Sequence, residues 1–369
     1  MATITVTNSN DSGPGSLRQA IVDASSGDNI EFYDNYTITL FSGQLSIDKN
    51  LVINNLGKNI TITSNNGSNI FNIQTTNPTV RINGFSILNG YNSAIINSGK
   101  LIIINSMLTG NAAVSNGGAI INDGILTVIS SNIAGNSTTS NGGAIFNNGT
   151  FIVTDSTIAG NAAASNGGAI FNNGILTITS STISGNSASG DGGAIFNEGI
   201  FTITNTTISA NSATNGAAIL NFTKNNASKI VFNTIANNVA LIGSSIEWRD
   251  SGSIAFKNSL IANNSPNFSD YKSLSLFGIN FSTDATSTGF IQVSLEQLKL
   301  GPLTLNYPGS TETQALSQGS LAIGSVTDCT DIDGNIVYTD QRGVYRQLNA
   351  ASAGAFEYSP LLTRGITLL

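Results

Sequence analysis

A repeat of 25 residues constrains this chain more than any other feature of its sequence. Each of five consecutive units opens on a glycine, so the period is 124 − 99 = 25 residues; the glycines are Gly99, Gly124, Gly149, Gly174 and Gly199. A unit of this size cannot bury its own apolar face, and such units stack into a solenoid in which each covers its neighbours. The sequence therefore predicts an elongated, repetitive fold.

Each unit opens with the alternation that is typical of a β-strand. In the fourth unit, Leu176 and Ile178 alternate with Thr177 and Thr179, which gives a strand one buried and one solvated face. Gly-Gly, Gly-Asn and Ser-Asn pairs then interrupt the unit before a helix can form. We expect an all-β fold, a parallel β-helix with coils of about 25 residues. It should be right-handed, because parallel crossovers almost always are.

Apolar side chains and asparagines recur at fixed places in the units, forming columns from coil to coil. The apolar columns should fill the interior, and the asparagine columns should form amide ladders at turns, where asparagine tolerates left-handed backbone. The apolar columns are Leu101/Leu126/Phe151/Leu176/Phe201, Ile103/Val128/Val153/Ile178/Ile203, Leu108/Ile133/Ile158/Ile183/Ile208 and Ile120/Ile145/Ile170/Ile195. The asparagine columns are Asn97/Asn122/Asn147/Asn172/Asn197 and Asn111/Asn136/Asn161/Asn186/Asn211.

Both ends of the chain depart from the repeat. Ser16 and Gln19 have the spacing of a capping box, and an apolar stripe after Ser16 predicts a short helix over the open end of the solenoid. We expect a strand and capping helix in residues 1–28, coils in 29–265 with the regular repeats at 99–221, and an irregular C-terminal capping region in 266–369. In that last region Arg342 and Arg346 should form a salt-bridge network with Asp340 and Glu357.

Composition narrows the class of protein. Only 9% of residues are charged and the net charge is −7, which argues against a nucleic-acid partner because such proteins need a basic stripe. No apolar run approaches the ~20 residues of a membrane-spanning helix, so we expect no direct membrane insertion. With Cys329 as the single cysteine and no histidine, an internal disulfide and the commonest transition-metal ligand are excluded.

The opening residues lack the charged and apolar regions of a signal peptide. A chain with few charges and abundant Asn, Gly and Ser is nevertheless more typical of exported proteins. We therefore expect a secreted or bacterial cell-surface protein whose signal peptide is absent from this sequence.

Three local patterns resemble known bacterial families. The segment Ser16–Ile21 resembles the "SLRxAI" N-terminal cap of large secreted β-helix proteins, and the Gly-Gly-Ala-Ile at 117–120, 142–145, 167–170 and 192–195 is similar to repeats of chlamydial polymorphic outer-membrane proteins. Residues 300–303, 318–323, 340–346 and 354–358 resemble the choice-of-anchor ending of surface β-helix proteins. These resemblances imply an exported, surface-displayed protein with a pectate-lyase-like β-helix, and they carry no catalytic residues.

The first functional hypothesis is a non-enzymatic surface protein, an adhesin or an envelope or matrix module. It would bind a surface protein or polysaccharide of a host or neighbouring cell along the faces of the solenoid. The acids of the repeats favour this hypothesis because they share no face. Asp155 stands at unit position 7, Asp191 at position 18 and Glu198 at position 25.

The alternative is a polysaccharide lyase or glycoside hydrolase. A lyase needs a basic side chain beside carboxylates that hold calcium, whereas a hydrolase needs paired carboxylates on one face. The densest candidate cluster is Glu247-Trp248-Arg249-Asp250, with Lys257 nearby. Glu247, Arg249 and Asp250 would be catalytic and Trp248 would stack on a sugar ring, unless the tryptophan only anchors a loop.

Two further sites remain as hypotheses. Outward Thr177, Thr179, Thr202 and Thr204 could meet ice or another flat surface, although ordinary β-propensity explains the same threonines. Residues 331–335 could hold calcium through Asp331, Asp333 and Asn335, but they lack the later glutamate of an EF-hand loop, and their pattern favours a tight turn. The sequence indicates no other cofactor.

Overall fold

The chain forms a right-handed parallel β-solenoid, which confirms the predicted all-β fold. The computed structural model describes residues 1–65, 67–223, 228–249, 252–268 and 274–360. Each regular coil passes through four short strands, and equivalent strands of successive coils pair in parallel with the 25-residue register. Leu126, for example, pairs with Phe151, and Leu176 pairs with Phe201.

The described strands fall into four long parallel sheets and one hairpin. Sheet A consists of Thr3–Val6, Asp28–Phe32, Leu51–Asn54, Thr79–Asn83, Lys100–Ile104, Ile125–Ile129, Thr150–Thr154, Ile175–Thr179, Ile200–Thr204, Ser228–Val231, Ile254–Lys257 and Leu274–Phe277. Sheet B consists of Tyr36–Leu40, Ile60–Ser64, Phe85–Leu88, Met107–Thr109, Asn132–Ala134, Thr157–Ala159, Thr182–Ser184, Thr207–Ser209, Thr234–Ala236, Leu260–Ala262, Phe281–Ser282 and Ile291–Gln292.

The remaining strands complete each coil or lie outside the coils. Sheet C consists of Leu45–Ile47, Phe71–Ile73, Ile95–Asn97, Ile120–Asn122, Ile145–Asn147, Ile170–Asn172, Ile195–Asn197, Ile219–Asn221 and Ile246–Trp248. Sheet D consists of Ala112–Ala113, Ser137–Thr138, Ala162–Ala163, Ser187–Ala188, Ser212–Ala213 and Val239–Ala240. The antiparallel hairpin pairs Leu300–Leu305 with Glu312–Leu316.

The interior is built from the predicted columns. All members of the four apolar columns are fully buried, and they belong to one continuous core cluster. The glycine that opens each unit is required by the close approach of successive coils. A Cβ on Gly149 would lie 2.0 Å from the backbone oxygen of Gly124, and one on Gly174 would lie 1.9 Å from that of Gly149. The glycines therefore recur every 25 residues because successive coils are in close backbone contact at this position.

Both asparagine columns form buried ladders, as predicted. In the column that begins at Asn97, each side-chain amide donates to the Oδ1 of the next asparagine over 2.6–2.7 Å. In the column that begins at Asn111, the same contact measures 2.9–3.0 Å. Because buried amides are costly without partners, these ladders hold the coils in one register.

A short helix covers the N-terminal end of the core, as predicted. Helix α1 runs over Leu17–Asp23, and Leu17 and Ile21 are buried against the first coils. The Ser16 hydroxyl accepts from the Gln19 amide, but the Gln19 side chain donates to Asp23, so only half of the capping box forms. Neither α1 nor the four-residue helix α2, Leu295–Leu298, is long enough to span a bilayer; no described helix is.

The C-terminal region does not simply close the end of the solenoid. Sheets A and B continue past residue 265 through Leu274–Phe277 and Ile291–Gln292, so the predicted boundary falls inside the coils. The chain then turns back and lies along the outside of earlier coils. We call residues 294–358 the C-terminal flank. Its Gln341 accepts a hydrogen bond from Thr207 over 2.7 Å and donates one to Thr182 over 2.9 Å.

The predicted salt-bridge network of the C-terminal region is confirmed, and it is buried between the flank and the coils. Arg342 pairs with Asp340 at 2.7 Å, and Arg346 pairs with Glu357 at 3.4 Å. The Arg346 guanidinium also lies 3.9 Å from the centre of the Phe232 ring. Burial lowers the pKa of Arg346 and raises the pKa of Glu357, because it opposes both charges. The network therefore fastens the flank to the side of the solenoid.

Candidate functional site

The described basic side chains in and near the predicted cluster around Trp248 are held in ion pairs, and a catalytic role of the cluster stays a prediction. Arg249 pairs with Glu247 at 2.9 Å and with Asp191 of an earlier coil at 2.6 Å. Lys257 lies in a different sheet, is buried, and pairs with Asp328 of the flank at 2.8 Å. Hydrogen bonds from Lys257 and Thr330 lower the pKa of Asp328 to about 2. Each of these basic side chains is thus held by a partner other than a substrate, and Asp250 lies outside the described residues.

Trp248 faces the core and not the solvent. Alternation along Ile246–Trp248 points Glu247 outward and places the indole inside, where only 7% of Trp248 is exposed. Its ring packs edge-to-face on Phe268 with the centroids 6.0 Å apart. The hypothesis that Trp248 stacks on a sugar ring is therefore wrong, and the tryptophan is an anchor of the last coils.

The four threonines predicted for surface binding do lie together. Thr177 pairs with Thr202 and Thr179 with Thr204 on the outward face of sheet A, where all four are half-buried. The next coil has Lys229 in this column, and its amine is 2.5 Å from Asp333 of the flank. The threonine array is two coils deep, and its binding to ice or another flat surface stays a prediction.

The calcium candidate forms a tight turn. The Asp331 carboxylate accepts from the backbone amides of Asp333 and Asn335 and from the Asn335 side chain over 2.8–3.0 Å. Burial opposes its ionisation, yet these hydrogen bonds lower the pKa of Asp331 overall. In the described part of the chain, no three Asp, Glu or Cys side chains cluster closely enough to hold a metal ion.

A groove runs along the outside corner where sheet A turns into sheet B, and we call it the turn groove. Its floor is the line of turn residues Gly84, Asn105, Ser130 and Asp155, all with φ between 47° and 83°. Sheet B forms one wall, with Met107, Asn132 and Thr157. The tip of the C-terminal hairpin forms its far end. The groove encloses about 700 Å³.

The floor of the turn groove is held by a ladder of serines. A buried serine follows the turn residues Asn105, Ser130 and Asp155, and its hydroxyl accepts from the backbone amide of the equivalent residue in the preceding coil. Ser106 donates in this way to Ser131, and Ser131 donates to Ser156, both over 3.1 Å. Each hydroxyl in turn donates to a carbonyl two residues earlier in its own coil. These bonds hold the floor of the turn groove in one shape.

Asp155 is the distinctive group of the turn groove. It is half-buried, and its carboxylate has no hydrogen-bond or ion-pair partner among the described residues. Burial raises the pKa of this carboxyl and no cation offsets the shift. A titratable group with a shifted pKa in a cleft is a candidate for acid–base chemistry. Glu312, an exposed residue of the hairpin, lines the same groove and is the second carboxyl there.

Comparison with the solved structure of a pectate lyase supports the fold. The crystal structure of pectate lyase Pel9A matches with a TM-score of 0.54 over 97% of both chains, at 17% sequence identity. The PL6 family alginate lyase AlyGC matches with a TM-score of 0.43 at 14% identity, over 97% of this chain and 59% of that one. At such identity the likeness to Pel9A establishes a pectate-lyase-like β-helix and nothing more.

No protein-family model and no curated protein matches this sequence. The resemblance of the cap, the Gly-Gly-Ala-Ile repeats and the C-terminal region to bacterial surface proteins therefore stays a prediction.

Sequence reasoning missed the turn groove because it treated the acids of the repeats as scattered. Asp155 does have a signal in the sequence. Its column holds Asn105, Ser130, Ser180 and Asn205, so Asp155 alone brings a carboxyl to that turn in the regular repeats. Glu312 has no such signal in the sequence. It lies 312 − 155 = 157 residues after Asp155, and the folded-back flank brings it to the groove.

Proposed function

We propose that this protein binds a neutral polysaccharide in the turn groove and hydrolyses its glycosidic bonds. Asp155 carries this proposal as an unpaired carboxyl with a raised pKa in a preformed groove. Hydroxyl and amide side chains such as Ser130 and Asn132 are the natural partners of sugar hydroxyls. The fold shared with pectate lyase Pel9A is consistent with a polysaccharide ligand.

Glycoside hydrolysis uses two carboxyl groups in different roles, and the turn groove is lined by Asp155 and Glu312. Asp155, which stays protonated to higher pH than an ordinary aspartate, would donate its proton to the glycosidic oxygen as the bond to the anomeric carbon breaks. Glu312 would accept a proton from water as the water oxygen bonds to that carbon. One water is consumed and two hydroxyl-terminated sugars are released, so atoms and protons balance.

Hydrolysis fits the charges of the groove better than β-elimination does. Elimination acts on a polyuronate, and needs a base and cations that neutralise the sugar carboxylate. Among the described residues that line the turn groove are Asp155 and Glu312 but no lysine or arginine, and Lys58 lies in the cleft that continues the groove toward the N-terminus. Arg342 lies in an adjoining cleft, where Asp340 already neutralises it. The Glu312 carboxylate would repel a polyuronate, which favours a neutral chain.

A polysaccharide outside the cell is too large to enter it, so hydrolysis of such a polymer requires export. We therefore keep secretion or display on the bacterial surface as part of the proposal. The composition, with 9% charged residues, is in accord with it.

The test is a panel of neutral and acidic polysaccharides incubated with the wild type and with Asp155→Asn. We expect new reducing ends from a neutral polymer and a loss of about 10²–10⁴-fold in rate for the variant, the usual contribution of a general acid. Glu198→Gln is the matched control, since burial also raises the pKa of Glu198 but that residue lies outside the turn groove.

Three other outcomes contradict the proposal in different ways. Unsaturated ends from a polyuronate would indicate a lyase. Binding without cleavage would return the protein to the class of surface adhesins. Equal rates for the wild type and Asp155→Asn would show that the groove acid has no part in the reaction.

A further inference from the structure

We propose that the turn groove is closed at Asp155, so that it binds the end of a polysaccharide chain and not its middle. The inference rests on the proposed function and deepens it, since it defines which part of the substrate the site accepts. It is carried by the course of the C-terminal flank across the same corner of the solenoid.

Exposure along sheet B locates the closed end. The first outward residue of each sheet B strand forms a column that begins in solvent and ends under the flank. Met107 is 40% exposed, Thr157 is half-buried, and Thr182 and Thr207 are both fully buried. The change falls at the coil of Asp155.

The line of turn residues changes at the same coil. Asn105 and Ser130 are exposed, Asp155 is half-buried, and Asn205 is only 4% exposed. The Asn205 amide donates to the Thr339 carbonyl over 2.7 Å, and its Oδ1 accepts from Arg346 over 2.8 Å. Ser180, the next turn residue, is half-buried and lines a separate cleft with Pro308 and Ser310, and at Asn205 the corner is occupied by the protein itself.

The closing wall is firmly attached. Gln341, only 3% exposed, donates to the Thr311 hydroxyl over 2.9 Å and to the Glu312 carbonyl over 3.0 Å, while it also contacts Thr182. The Thr182 hydroxyl donates to the same Glu312 carbonyl over 2.6 Å. The Thr311 hydroxyl donates to the Ser180 carbonyl over 3.4 Å, so the hairpin tip crosses the corner at the turn that follows Asp155.

The opposite end of the groove is open. A second cleft, with Asn55 and Lys58, continues it through the shared residues Gly84 and Asn105. From Asn55 to Asp155 the floor spans five coils, or about 19 Å at the usual spacing of ~4.8 Å between paired strands. This length holds a short oligosaccharide that enters from the N-terminal side and stops at Asp155.

The first experiment measures stoichiometry with the wild type, using linear neutral oligosaccharides and polymers of increasing length in the same linkage. A site that binds chain ends saturates at one protein for each chain whatever the chain length. A groove open at both ends would instead load more protein onto longer chains, and that result would overturn the inference while leaving the proposed function intact. Absence of binding to any length would overturn both.

The second experiment follows product sizes from the first moments of the reaction. We expect a single short product from the wild type, because cleavage occurs at a fixed distance from the blocked end. Replacement of residues 306–311 by a two-residue Asn-Gly turn should remove the wall and give products of mixed size. Products of mixed size from the wild type would contradict the inference. A folded variant with the shortened turn that still gives a single product would also contradict it.

Discussion

Asp155 occupies a left-handed turn position, with φ at 49°, that its neighbouring coils fill with serine or asparagine. The backbone accepts aspartate there, since Asp and Asn are the non-glycine residues that tolerate this conformation best. The cost is electrostatic, because the carboxylate is partly desolvated and has no partner among the described residues. An unfavourable charge retained in a groove is typical of a functional residue.

Asp155→Asn should therefore stabilise the protein near neutral pH while it lowers the rate of hydrolysis. A raised pKa in the folded state means that wild-type stability falls as pH rises from the usual aspartate range through the folded pKa. The difference in melting temperature between variant and wild type should be small in acid and grow toward neutral pH. Thermal unfolding across pH checks this. A difference that shrinks as pH rises would show that the Asp155 carboxylate is stabilised and not strained.

The buried asparagine ladders predict a second effect of a single residue. Asn161→Ala removes the Oδ1 that accepts from the backbone amide of Asn136 over 2.9 Å, which leaves that amide buried without a partner. We expect a loss of about 1–3 kcal/mol in the free energy of unfolding. Asn148→Ala is the control, because Asn148 stands in an exposed ladder. If the two variants lost the same free energy of unfolding in denaturant titrations, burial of the ladder would make no contribution to stability.

At the scale of elements, the C-terminal flank acts as a clamp and as a wall. It contributes Asp328 to Lys257, Thr339 to Asn205 and Gln341 to the sheet B threonines, along a line of successive coils. The contacts between the flank and the coils are hydrogen bonds or ion pairs at these points. Because such contacts are directional, they hold the flank at one position on the solenoid as well as attaching it. These contacts position the hairpin at the turn groove.

Gln341→Ala should loosen the hairpin without unfolding the coils. The substitution removes the acceptor of the Thr207 hydroxyl and the donor to Thr182 and Thr311. Hydrogen exchange in Leu300–Leu305 and Glu312–Leu316 should become faster, while exchange in the regular strands of sheet A stays unchanged. Faster exchange throughout sheet A would show that the flank is part of the cooperative core, contrary to this expectation.

At the scale of the whole molecule, stability depends on stacked coils that share one continuous interior. Each repeat contacts its neighbours, so a defect in one coil removes part of the support of the next. The core cluster that begins at Val6 extends to Phe290, and the capping helix covers its first end. A local change in the interior should therefore spread along the axis.

Ile158→Asp should unfold neighbouring coils together and lower the melting temperature strongly. The side chain is fully buried in sheet B, and an unpaired charge there costs several kcal/mol. Ile152→Asp, in the same coil but on the outward face of sheet A, is the matched control and should have a small effect. An unchanged melting temperature for Ile158→Asp would mean that the inward and outward faces have been exchanged.

The sequence alone determined the solenoid, its coil length, the inward columns and both asparagine ladders. These features are repeated locally, and each follows from alternation, turn residues and steric contact between identical positions. The sequence did not determine the orientation of Trp248, because its neighbours could not show which of Glu247 and Trp248 faces the core. Only pairing with the preceding coil decided it.

The candidate site was decided by tertiary structure. Asp155 is marked in its column, yet nothing local indicates that a groove passes over it. That groove exists because the flank folds back and brings Glu312 to a turn far earlier in the chain. Contacts between segments without repeat symmetry, such as Gln341 with Thr182, leave no period in the sequence. They arise only when the whole chain has packed, which is why the solenoid could be predicted and the closed groove could not.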